Sequence, residues 1–290
     1  MASRLNMIWN FIGHYKYLIV ISDPDSYYFT LNTTRLSLAD AKTLKQGDLT
    51  LYGFKYRVDA KRMGMDVTLR VYNSEGTMLP MLRYSNEADV FADGYTYSAQ
   101  RYIQQTLATS TNEKLIALVE AMSDFGSLAQ KQFNYDVANA AALYHADDIA
   151  AVTAADLEPY KCQKTETARK GIEFSNMTLV LEAETTMKLF FKLNEGEIGD
   201  YTFTVDGKAA TATETSSGYV IEVKNIAAKN LDKFYKVVVR DSQGVCLTVK
   251  CTALNYSYLV LTAENQSEDL TNLVKAIYLY NKAANTYFAK

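Results

Sequence analysis

The chain has 290 residues and a mass of 32.5 kDa, room for two domains at about 100–200 residues each. Hydrophobic residues at 48% and charged residues at 22% exclude a disordered, collagenous or coiled-coil chain. Thirty basic against 33 acidic residues, spread along the chain, give no electrostatic case for nucleic acid, and only two histidines argue against a histidine-based metal or triad site.

The first apolar run, Leu18–Ile21, is followed by Ser22-Asp-Pro-Asp25. It is far shorter than the roughly 18 residues that span a bilayer, so it reads as a β-strand and no membrane insertion is expected. Tyr28–Leu31 and Val67–Val71 follow as strands, the second closed by the turn Asn73-Ser-Glu-Gly76. The period then changes. A helix is expected over about Ala99–Ala108. A second carries Leu115, Leu118, Val119, Met122, Phe125, Ala129 and Phe133 on one face, with Ser110 and Glu113 as a capping box.

Ala138–Asp148 is Ala-rich and expected to be helical. Thr153-Ala-Ala-Asp156 starts a short turn that ends near Pro159, and the polar stretch Lys161–Lys170 reads as a linker. Strands are then expected at Met177–Glu182, Met187–Leu193, Tyr201–Val205, Tyr219–Val223, Tyr235–Arg240 and Val245–Cys251. Asp206-Gly207 is a hairpin turn signal, because both residues accept positive φ. Helices close the chain at Leu254–Glu264 and, after a Ser267 cap, at Asp269–Ala289.

The second half repeats the first. Asn73–Gly76 matches Asp241–Gly244 at an offset of 168, with Ala60-Lys61 matching Ala228-Lys229 at the same offset; Tyr28–Leu31 matches Thr202–Val205 at 174; Lys16–Ile21 matches Lys188–Leu193. Leu115, Leu118, Val119, Ala121, Ala129 and Phe133 are identical to Leu270, Leu273, Val274, Ala276, Ala284 and Phe288 at 155, the drop reflecting an insertion near Tyr84–Tyr97. Agreement in the same order across strands, turn and helix is the mark of a tandem duplication. The expected fold class is α+β: two tandem copies of a small antiparallel β-sandwich (Ig-like), each followed by an α-helical hairpin. Copy one is 1–135, with its sandwich about 1–97 and hairpin about 98–135. A partly helical linker is 136–171. Copy two is 172–290, with its sandwich about 172–252 and hairpin about 253–290.

Cys162, Cys246 and Cys251 are odd in number and are expected as free thiols; the last two, five apart in a strand, point to opposite faces and do not bridge each other. His145 next to Asp147 and Asp148 has too few ligands at helical spacing for a metal, and His14 falls in a strand or turn. Glu182, Glu184, Glu195 and Glu197 are paired acids of the kind a glycosidase uses, but they fall at exposed strand or turn positions and read as solvated charges. There is no phosphate-binding glycine loop, nucleophile elbow or calcium loop. Tyrosine is in excess, 22 residues against one Trp. Tyr27, Tyr28, Tyr52, Tyr56, Tyr84, Tyr95 and Tyr97 cluster in copy one, and Tyr201, Tyr219, Tyr256, Tyr258, Tyr278, Tyr280 and Tyr287 in copy two. Most are expected as framework, Tyr280 above all because it aligns with Phe125, with a remainder available as a platform for sugars or proteins.

The runs Thr185–Phe191, Tyr201–Gly207, Asn225–Asp232, Leu273–Phe288, Glu120–Gln130 and Phe133–Tyr135 resemble a module of large secreted, surface-attached proteins of gut clostridia, over most of residues 50–290. The resemblance implies secretion to the cell surface and a non-enzymatic role, and it carries no catalytic, cofactor or metal residue. The expected function is therefore a structural or interaction region of a bacterial surface protein, with a protein or glycan partner. The alternative is a carbohydrate-binding module that uses exposed tyrosines. The ligand-binding residues are left open.

Overall fold

The computed structural model describes residues 3–6, 14–20, 27–36, 41–46, 49–83, 86–182 and 184–289. The chain is of mixed α+β class and divides into two compact units, Met1–Thr109 and Ser110–Lys290.

The first unit holds two sheets. One has the order β10-β9-β1-β2-β6-β5, from β1 (Ser3–Asn6), β2 (His14–Val20), β5 (Lys42–Gln46), β6 (Leu49–Arg57), β9 (Met81–Arg83) and β10 (Asn86–Phe91). The apolar run Leu18–Ile21 thus begins inside strand β2, and among the described residues no helix is long and apolar enough to cross a membrane. The other sheet has the order β11-β7-β3-β4, from β3 (Tyr27–Leu31), β4 (Thr34–Leu36), β7 (Val67–Asn73) and β11 (Tyr95–Tyr97), with β8 (Met78–Leu79) also on β7. Alternation decides the faces of this second sheet. Phe29, Leu31, Val67, Leu69, Val71, Tyr95 and Tyr97 are buried in one cluster with Phe54 of β6, whose ring lies 5.6 Å from that of Phe29. Helix α1 (Ala99–Thr109) follows β11 and buries Ile103 and Thr106.

The second unit also holds two sheets. One has the order β12-β20-β19-β15-β16, from β12 (Gln163–Glu166), β15 (Thr202–Val205), β16 (Lys208–Ala210), β19 (Tyr235–Asp241) and β20 (Gly244–Cys251). The other has the order β13-β14-β18-β17, from β13 (Ile172–Leu181), β14 (Thr185–Leu193), β17 (Thr213–Thr215) and β18 (Gly218–Val223). The connection order of β13-β14-β18-β17 is that of β1-β2-β6-β5, and the order β16-β15-β19 is that of β4-β3-β7. Met187, Leu189 and Phe191 of β14 face Val223, Ile221 and Tyr219 of β18, and Phe191 meets Phe203 of β15 edge-on at 5.6 Å, joining the two sheets. Asp206 and Gly207 take φ of 48° and 82° in the β15–β16 turn, as the Asp-Gly signal requires.

Gly218 opens β18 at φ 108°, and a Cβ there would lie 2.5 Å from the Phe191 carbonyl oxygen. Gly218→Ala is therefore expected to cost about 1–3 kcal/mol in chemical denaturation, through positive φ and backbone crowding together.

Helix α2 (Glu113–Gln132) lies in the second unit and packs along α6 (Glu268–Phe288), which α5 (Leu254–Thr262) also contacts. Phe125 stacks on Tyr280 with ring centroids 5.6 Å apart. Ser267 caps α6 as expected, accepting from the Leu270 amide at 3.2 Å. The cap of α2 is corrected. Asn112, not Ser110, accepts from the Leu115 amide, while Ser110 accepts from Asn112 and shapes the turn before it.

Three further expectations fail for physical reasons. Of Ala138–Asp148, the start lies in a single 3-10 turn (Val137–Asn139) and only the end enters an α-helix, α3 (Ala146–Ala151). The preceding residues run along α2, whose buried polar side chains take their backbone groups: Ser123 Oγ donates to the Ala142 carbonyl at 2.7 Å, and Gln130 Oε1 accepts from the Ala141 amide at 2.9 Å. Those bonds replace the helix ladder. The short helix α4 (Ala154–Leu157) begins with the Thr153–Asp156 capping box and ends before Pro159, as read from the sequence. The polar stretch Lys161–Lys170 contains β12, an edge strand hydrogen-bonded to β20. Cys162 is disulfide-bonded to Cys251 at the end of β20, with Cα atoms 4.3 Å apart, and only Cys246 is a free, buried thiol. The odd count concealed this pair, because Cys162 lies in a stretch that gave no strand signal.

Candidate functional site

The outward face of the β11-β7-β3-β4 sheet is built from the residues that alternate with its core. Cross-strand register sets them in rows. Tyr28 of β3 faces Tyr72 of β7, which also faces Met78 of β8. In the next row, Thr30 of β3 lies between Arg35 of β4 and Arg70 of β7. In the third, Thr68 faces Thr96 of β11, and their hydroxyls are hydrogen-bonded at 2.8 Å.

The Tyr28 and Tyr72 rings stack at 4.9 Å with planes 9° apart, and the Arg35 guanidinium lies over the Tyr28 ring, 3.9 Å from its centroid. A stacked guanidinium keeps its N–H edges free. Neither Arg35 nor Arg70 has a carboxylate within 4 Å among the described residues. The Arg70 stem runs beside Gly94, where φ is 96° and an added Cβ would lie 2.7 Å from Arg70 Cγ. The Thr30 hydroxyl, shielded from water, has no hydrogen-bond partner. Among the described residues the face therefore presents two cations without a paired carboxylate, among hydroxyls.

The tyrosine cluster noted in copy one splits. Tyr95 and Tyr97 are buried, and Tyr27, Tyr52 and Tyr56 pack against the same core. Burial pushes the Tyr97 hydroxyl well above its usual pKa, helped by Tyr95 and Tyr102, and it donates to Gln105. Tyr84 lies outside the described residues. Tyr28 alone of that cluster joins the outward stack. In the second unit, Tyr278 and Tyr280 are buried, and burial alone raises Tyr280. Tyr201, Tyr219, Tyr256, Tyr258 and Tyr287 are half-buried. Tyr72, Arg35 and Arg70 were missed in the sequence; the signal was there, since register across two adjacent strands sets them beside Tyr28.

The paired acids do not converge. Glu182 and Glu184 precede β14, and Glu195 and Glu197 follow it. Nine extended residues separate them by about 30 Å, beyond the roughly 5–10 Å that glycosidase carboxylates require. Glu197 accepts from its own turn, Ile198–Asp200.

His145 has a partner that the sequence did not announce. Its Nδ1 lies 2.6 Å from Oδ2 of Asp124, a buried carboxylate of α2 that also accepts from the Tyr144 amide, and its Nε2 lies 3.6 Å from Glu120. Asp147 and Asp148 instead line a shallow cleft with Tyr144, His145 and Ala146. The arrangement fastens residues 140–145 to α2. Among the described residues no group of three or more His, Cys, Asp or Glu could hold a metal ion. His14 lies in β2.

No protein-family profile, no curated protein and no solved structure matches the chain.

Proposed function

We propose that the chain is a non-catalytic interaction region of a secreted bacterial cell-surface protein, built from two copies of a β-sandwich and helical-hairpin module. The duplication is supported by the shared strand orders and by cross-strand pairs that correspond one to one, such as Phe29–Val71 with Phe203–Val239. It is supported again by Phe125 and Tyr280, equivalent at the 155 offset, which stack on each other. Self-pairing of equivalent residues is the signature of a two-fold contact. Under this reading the copies are 1–135 and 172–290, and their second helices pair.

The observation that carries the secreted setting is the Cys162–Cys251 disulfide, since such bonds persist in oxidising compartments. Peptide mapping of the native protein, with thiols blocked at lysis, tests it. A Cys162–Cys251 crosslinked peptide beside alkylated Cys246 is the expected result; three alkylated cysteines would remove the support.

The second reading, a carbohydrate-binding module, is favoured by the Tyr28–Tyr72 stack on an open sheet face. Affinity electrophoresis in polysaccharide gels separates the two readings. Saturable retention lost on Tyr28→Ala or Tyr72→Ala would sink a pure spacer role.

A further inference from the structure

The two sheets of like connection order provide an internal comparison. At inward positions the residues agree in kind: Phe29, Leu69 and Val71 correspond to Phe203, Val237 and Val239. At outward positions they do not. Tyr28, Tyr72, Arg35 and Arg70 correspond to Thr202, Arg240, Ala209 and Val238. The architecture therefore does not require a tyrosine stack with two arginines. Those residues serve something outside the sheet.

We infer that the face formed by Arg35, Arg70, Tyr28 and Tyr72 binds an acidic polysaccharide, with Arg35 and Arg70 gripping its carboxylate or sulfate groups. The Tyr28 ring is engaged by the Tyr72 ring at 4.9 Å and by the Arg35 guanidinium at 3.9 Å. It is the support that holds Arg35 flat with its fork outward, ready for bidentate recognition of a planar anion. Arg70 stands across one strand from Arg35, at about 10 Å between backbones given strands about 4.8 Å apart, its stem running beside Gly94. Two separated charges among threonine and tyrosine hydroxyls suit a polymer of sparse charge and many hydroxyls. The net charge of −3 disfavours one as densely charged as nucleic acid. The inference rests on the binding reading above and names the partner class.

The test is affinity electrophoresis of the full chain in gels containing polygalacturonate, dextran sulfate, neutral dextran or poly-glutamate. Retardation by at least one acidic polysaccharide, weakening as salt rises, is expected, with little or none by dextran or poly-glutamate. Arg35→Ala and Arg70→Ala should each weaken it roughly tenfold. Arg35→Lys, which keeps the charge and loses the fork, should recover little. Arg240→Ala, at the corresponding outward position of β19, should change nothing. Melting curves that match the wild type verify that each variant is folded. Retardation by acidic polysaccharide that ignores Arg35→Ala and Arg70→Ala overturns the inference, and so does equal or stronger retardation by dextran or by poly-glutamate. The binding reading survives all three. No retardation by any probe overturns both.

Discussion

Reducing the Cys162–Cys251 disulfide is expected to destabilise the second unit by about 2–5 kcal/mol. The bond closes a loop of 89 residues, for which the chain-entropy relation gives roughly 4–5 kcal/mol. It also anchors an edge. β12 is exposed along its whole length, and beyond its ladder with β20 the approach to it is held by two bonds: Thr252 Oγ1 donates to the Tyr160 carbonyl at 2.8 Å, and the Cys162 amide donates to Asn255 Oδ1 at 2.8 Å. Reduced protein, or Cys251→Ala, should melt roughly 5–15 °C lower, read by circular dichroism with and without reductant. Amide exchange along Gln163–Glu166 should accelerate. An unchanged melting point would show that β12 is held by its ladder alone.

Phe191→Ala should cost about 3–5 kcal/mol, the full effect of truncating a ring with no exposed surface. Its neighbours explain why the site resists collapse. Phe174 and Phe203 meet the ring edge-on from β13 and β15, 5.8 and 5.6 Å away, so the cavity would open between two sheets that each keep their own ladder. Phe191→Leu fills most of that space and should cost less than half as much. Urea denaturation of both variants checks the pair. Equal losses would point to the backbone of β14 instead of the packing.

The strands of the second unit were legible because they are rich in β-branched and aromatic residues and bounded by turn residues. Five were read within two residues of their bounds and β13 began five residues earlier than read, since Val, Ile, Leu, Phe and Tyr crowd β14, β18 and β19 between turn residues. β16 and β17 were not, being three residues each and largely exposed, which leaves no pattern to read. The segment after α2 misled in the opposite way. Its alanines favour a helix, but Ser123, Asp124 and Gln130 on α2 bond its backbone in an extended path, and that contact joins residues 11 to 20 apart. The candidate face was half legible. Tyr28 was among the tyrosines singled out, but Arg35 and Arg70 acquire meaning only from register, which places all three on one side of the sheet.

Helix α2 follows α1 in the sequence and ends before the proposed second copy begins, yet its apolar stripe is spent on α6. A fragment begun at residue 136 or 172 would leave the α6 surface that packs on α2, Tyr280 included, without the helix that covers it. Such a stripe seeks another copy of itself, and the fragment would come out of the cell as an aggregate or as an exchanged dimer. The boundary that keeps both partners of the pair lies between Thr109 and Ser110, 26 residues before the point where the repeat in the sequence would place it.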